Sequence, residues 1–169
     1  MNATWFECKI RYEKMSEDGK IKKVNEPYLV DAVSFTDAET RISEEMKPYI
    51  SGEYTISNIK RARYTEIIPN ETGDRWFVCK VKLIIVDEEK GTEKKVVQTM
   101  LVQASDIQEA LTNLNDFMKS SISDYEVPSI AESPILDYFP YEAKIVTTKE
   151  SKDEQAIVDI LDNNPVTEE

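Results

Sequence analysis

The stretch that decides the fold is written twice: WFECKIRY from Trp5 to Tyr12, and WFVCKVKL from Trp76 to Leu83, identical at Trp, Phe, Cys and Lys with an offset of 71. Ile10 stands over Val81 and Arg11 over Lys82. One inserted residue in the following turn moves the offset to 72, and the match continues through Leu29 over Leu101, Val30 over Val102, Ala32 over Ala104, Ala38 over Ala110, Ile42 over Leu114 and Met46 over Met118. It then returns to 71 for Tyr54 over Tyr125, Ile59 over Ile130 and Pro69 over Pro140. Chance does not order so many matches. A repeat present only twice reads as a pseudo-dimer, because stacked arrays need at least about three units.

Working outward, each copy repeats one pattern of periodicities. Phe6, Cys8, Ile10 and Tyr12 alternate with Trp5, Glu7, Lys9 and Arg11, as Phe77, Cys79, Val81 and Leu83 do with Trp76, Val78, Lys80 and Lys82, which assigns two faces to a strand. Polar turns, SEDGK and DEEKG, lead to a second strand, and a helix with apolar residues at three-to-four spacing follows, with Thr36 or Ser105 as its expected N-cap. Extended segments close the copies, Thr55 to Ile68 and Glu126 to Phe139; Pro128 and Pro134 predict a shorter or irregular strand in the second. The expectation is an α+β fold with an internal duplication of a ββαβ unit: residues 1–69, a linker at 70–75, residues 76–145 and an acidic tail at 146–169. The two units form a pseudo-twofold single domain, with both helices on one face of antiparallel sheet.

Composition excludes several kinds of chemistry. The 169 residues hold 33 Asp and Glu against 21 Lys and Arg, no His, two Cys and four scattered Gly. Without His there is no Ser-His-Asp or Cys-His arrangement, and two Cys cannot complete the usual four-ligand zinc site. The isolated glycines build neither a dinucleotide fingerprint nor a phosphate-cradling loop. No enzymatic activity, cofactor or metal is expected, and the carboxylates of the hairpin turns are explained by turn chemistry. No apolar run is long enough to span a membrane, and the first residues lack the plan of a secretory signal, so a cytoplasmic location with reduced thiols is expected.

Three groups of residues could carry function. Trp5, Lys9 and Arg11 share one face of the first strand, and Trp76, Lys80 and Lys82 repeat them; such a face suits single-stranded nucleic acid, with bases stacked on rings and cations tracking phosphates. The same tryptophans could instead seal the contact between the two halves. Lys60, Arg61, Arg63 and Tyr64 form a basic patch in a stretch free of acidic residues, and solvated cations guarding a strand edge are the plainer reading. Residues 150–169 hold seven acidic residues and one Lys, and within them Ile157, Ile160 and Leu161 mark a short amphipathic stripe able to dock on a partner or on the body of the protein. The expected partner is single-stranded nucleic acid or another protein, with no membrane and no small-molecule cofactor. The alternative to nucleic-acid binding is a protein-interaction module, an adaptor or inhibitor acting through its acidic surface and tail.

The doubled WF-x-C-K opening, the helix after V-x-A and the acidic end resemble an uncharacterised family of small proteins from gut Bacteroidetes and their phages and mobile elements. That resemblance covers residues 5 to about 145 and implies no catalytic residue, cofactor or substrate. In layout alone, the acidic tail on a β-rich body is similar to phage and bacterial single-stranded DNA-binding proteins.

Overall fold

A computed structural model describes residues 4–141 of the chain. β1 (Thr4–Met15) and β2 (Ile21–Ala32) make a hairpin, α1 (Phe35–Met46) follows, and β3 (Tyr54–Arg61) and β4 (Glu66–Ile68) complete the first half. The second half runs in the same order: β5 (Arg75–Asp87), β6 (Thr92–Ala104), α2 (Ile107–Met118), β7 (Asp124–Ser133) and β8 (Asp137–Phe139). The fold is α+β and mostly strand. Among the described residues no helix is long and apolar enough to cross a membrane.

Two four-stranded sheets form, in the orders β3-β1-β2-β8 and β4-β6-β5-β7. Each half therefore gives its last short strand to the other half's sheet. β8 lies parallel to β2, with Leu29 beside Tyr138, and β4 lies parallel to β6, with Ile67 beside Leu101. Both crossings are pinned by the backbone: Thr65 N–H donates to Thr99 O at 2.8 Å and Leu136 N–H donates to Pro27 O at 3.0 Å. The sheets are thus mixed, where antiparallel sheet alone was expected, and what reads in sequence as one closing strand per copy is two strands in different sheets.

The helices begin two residues earlier and one residue later than Thr36 and Ser105 suggested, because a reciprocal cap decides the start. Ser34 accepts from Asp37 N–H at 3.1 Å while Asp37 accepts from Val33 N–H at 3.0 Å. Asp106 accepts from Glu109 N–H at 2.8 Å, and Glu109 accepts from Ser105 N–H at 3.2 Å. Each pair satisfies two helix-end donors at once.

Alternation then builds three cores. Phe6, Cys8, Ile10 and Val30 pack under Ala38, Ile42 and Met46 of α1; Phe77, Cys79, Val81 and Val102 pack under Ala110, Leu114 and Met118 of α2. The opposite sheet faces meet in a third cluster around Leu29, Trp76, Leu101 and Ile135. The helices consequently cover the outer faces of two sheets that touch each other, each helix on its own sheet. β7 is longer than Pro128 suggested, because it is an edge strand and its register shifts between the partners of Lys80 and Lys82. β3 carries a shift at the corresponding place, between the partners of Lys9 and Ile10.

Candidate functional site

Strand alternation put Trp5 and Trp76 on one face, and the structure shows what covers that face. Trp76 is 1% exposed in the central cluster, with the Tyr138 ring 5.1 Å away in an edge-on arrangement. Trp5 is half-buried, with its ring 6.1 Å from that of Tyr138. Tyr138 belongs to β8, so the exchanged strand brings both tryptophans to one ring. A ring buried in this way has no free face for a base, and Trp76 is withdrawn from the stacking platform that its sequence position suggested.

The cations of that face remain nearer solvent. Arg11 and Lys80 are exposed, Lys9 and Lys82 half-buried, and none of the four forms an ion pair among the described residues. They lie farther along β1 and β5 than the tryptophans.

The Lys60 to Tyr64 patch is largely engaged. Lys60 Nζ pairs with Glu7 across the β1–β3 register at 2.8 Å, and the Arg61 guanidinium lies over the rings of Phe6 and Phe35 at 5.7 and 5.5 Å. Tyr64 packs into the central cluster, where burial first and the Glu7 carboxylate second push its hydroxyl pKa up. Among the described residues, Arg63 alone of the four side chains is exposed without such a contact. Ile157, Ile160 and Leu161 lie outside the described residues.

Cys8 and Cys79 are buried free thiols under the two helices. Burial pushes Cys8 up to about 12, with the nearby Glu7 carboxylate adding to the effect, and pushes Cys79 up to about 11. Neither is an activated nucleophile. Among the described residues no cluster of three or more His, Cys, Asp or Glu side chains could hold a metal ion.

Periodicity did not reveal a further feature, because a strand's length relative to its neighbour leaves no trace in the pattern. β1 pairs with β2 as far as Met15 with Ile21, but its last partner in β3 is Tyr54, opposite Tyr12. Among the described residues, Glu13, Lys14 and Met15 therefore have no partner strand on that edge. Beside that edge an open groove of about 1250 Å³ is lined by Arg11, Met15, Ile21, Tyr49, Tyr54 and neighbouring residues. Met15, Ile21 and Tyr49 are 69%, 65% and 67% exposed, so three large apolar side chains stand in water around one concavity. Three of the lining side chains are held from behind: the Tyr12 hydroxyl donates to Glu26 at 2.9 Å, Lys14 reaches the same carboxylate at 3.6 Å, and the Tyr54 hydroxyl donates to Ser43 O at 3.3 Å. Burial, followed by the Glu26 carboxylate, pushes Tyr12 up to about 12.

No curated protein and no solved structure matches this chain. A family model does match residues 4–141, spanning both sheets, both helices and the groove, and the chain therefore belongs to the family described as a domain of unknown function, DUF4494.

Proposed function

We propose that the protein is a non-enzymatic protein-interaction module that receives an extended segment of a partner chain in the groove beside β1. The observation that carries this reading is the overhang of β1 beyond β3, next to exposed Met15, Ile21 and Tyr49. A peptide entering there in extended form continues the line of β3, takes its main-chain hydrogen bonds from the Glu13–Met15 edge and places alternate side chains on the apolar lining. The role is that of an adaptor or inhibitor, in the mobile-element setting that the family resemblance implies. The scaffold is read as a duplicated ββαβ unit with a pseudo-twofold, supported by the matching register shifts and the matching crossings at Thr65 and Leu136.

Displayed random decapeptides panned against the full chain test this reading. Enriched sequences should alternate apolar residues, and Met15→Asp or Tyr49→Ala should weaken them by at least about tenfold, equivalent to about 1.4 kcal/mol. Their binding should also slow amide exchange at Lys14 and Met15. Enriched peptides indifferent to both substitutions, or no enrichment at all, would reject the groove.

A second reading rests on Lys9, Arg11, Lys80 and Lys82, which form no ion pair among the described residues. Single-stranded nucleic acid tracking them would bind mainly through its phosphates, with affinity falling steeply as salt rises. Replacing all four by Gln should then abolish oligonucleotide binding and leave peptide binding intact. Oligonucleotide binding that survives this change would reject the second reading.

A further inference from the structure

On the flank of α1 that faces the end of β8, Arg41 is 5% exposed, and among the described residues neither Nη1 nor Nη2 has a hydrogen-bond acceptor. The ring of Tyr141 lies 4.9 Å from its Cζ. A guanidinium does not shed its proton in a protein, so burial cannot be relieved by neutralisation, and an aromatic face offsets only part of the lost hydration. A charged fork closed off from water with its outer nitrogens unused calls for an anion.

The second half of the molecule provides the comparison. At the register of the repeat Arg41 corresponds to Asn113 of α2, a neutral side chain that donates to Gln103 O at 3.1 Å and needs nothing more from outside. Tyr141 likewise corresponds to Asn70, which sits against α2 and bonds Glu109 at 3.4 Å. The residue at the Arg41 position is therefore neutral and bonded within the molecule on α2, but positively charged with unused outer nitrogens on α1. Packing alone does not require the charge, since the second half manages without it.

We propose that Arg41 and Tyr141 form a socket for one carboxylate. The planar fork of the guanidinium matches the two oxygens of a carboxylate in a bidentate pair, and the Tyr141 ring holds the fork flat. The source is this chain: the 28 residues after Tyr141 contain eight acidic residues against three lysines. Segregated negative charge begins where the buried positive charge waits. The socket thus ties the acidic end of the chain to the sheet that carries the groove, and it stands independently of the groove's own function.

Thermal unfolding of the full chain at constant ionic strength in chloride tests the socket. Arg41→Asn, which copies the α2 arrangement, should lower Tm by roughly 3–8 °C, as should replacing the eight acidic residues after Tyr141 with Asn and Gln. Combining the two should cost no more than either alone, because they remove the same interaction. Added acetate should restore Tm to the acid-depleted chain, inorganic phosphate should not match it, and neither should help Arg41→Asn. If Arg41→Asn does not fold, Arg41→Lys is read in its place: it keeps the charge, loses the fork and should lose the response to acetate. A wild-type response to acetate that Arg41→Asn abolishes, with the acid-depleted chain indistinguishable from wild type, keeps the socket and moves its carboxylate to a separate molecule. A Tm at or above wild type in Arg41→Asn, additive losses without an acetate response, or a response to phosphate alone would overturn the proposal.

Discussion

Trp76 and Lys80 lie on the same face of β5, and nothing in the alternation distinguishes them. One is sealed between two sheets and the other is exposed. Alternation tells which side of a strand a residue occupies but not what lies against that side, so the inward positions of Phe6, Cys8 and Ile10 were legible while the fate of the tryptophans was not. Trp76→Ala should cost about 3–5 kcal/mol in urea denaturation, against less than about 0.5 kcal/mol for Lys80→Ala. The thiols give a second residue-scale expectation. With folded pKa values near 12 and 11, against an ordinary 9.0, the folded chain favours the neutral thiols. Their contribution to stability is full below about pH 9 and is lost as pH climbs towards 11 and 12. At pH 8 the thiolate fraction is on the order of one in a thousand or less, so a disulfide reagent should label neither cysteine until denaturant is added. Rapid labelling of the native chain would contradict the burial of both.

At the scale of elements, the long strands and both helices could be read because each carries many periods of its own repeat. Helix starts were misplaced because Thr36, with Glu39 three positions on, and Ser105, with Gln108, carry the same capping pattern in sequence as the caps the structure uses, Ser34 with Asp37 and Asp106 with Glu109. Ser34→Ala should cost about 1 kcal/mol, with amide exchange at the start of α1 speeding up first. The linker holds a tighter constraint. A Cβ on Gly73 would fall 2.5 Å from Ala104 Cα, and this is backbone that cannot yield cheaply. Gly73→Ala should therefore destabilise by about 1–3 kcal/mol, whereas Gly52→Ala, with nothing within 4 Å, should be close to silent. Equal denaturation midpoints for the two variants would contradict the linker's packing.

For the whole molecule, the deciding feature is the exchange of β4 and β8, each three residues long. A three-residue strand shows no measurable period, and parallel pairing with a distant sheet leaves no turn signature, so the crossing was illegible in the sequence. The groove was illegible for a related reason, since it arises from the unequal lengths of β1 and β3. Because each sheet contains a strand from both halves, the halves should unfold together, with far-ultraviolet dichroism and tryptophan emission tracing one transition, and residues 1–69 alone should not fold cooperatively. The most direct test of this interlocked arrangement is the emission of Trp76 as sole tryptophan, in the full chain carrying Trp5→Phe, with and without a single-stranded oligonucleotide at low salt. Blue-shifted emission that the oligonucleotide leaves unchanged and that shifts red only in the global unfolding transition is the expected result. Red-shifted emission in the folded chain, quenched on adding oligonucleotide, would show the ring open to solvent and contradict the sheet contact on which the fold rests.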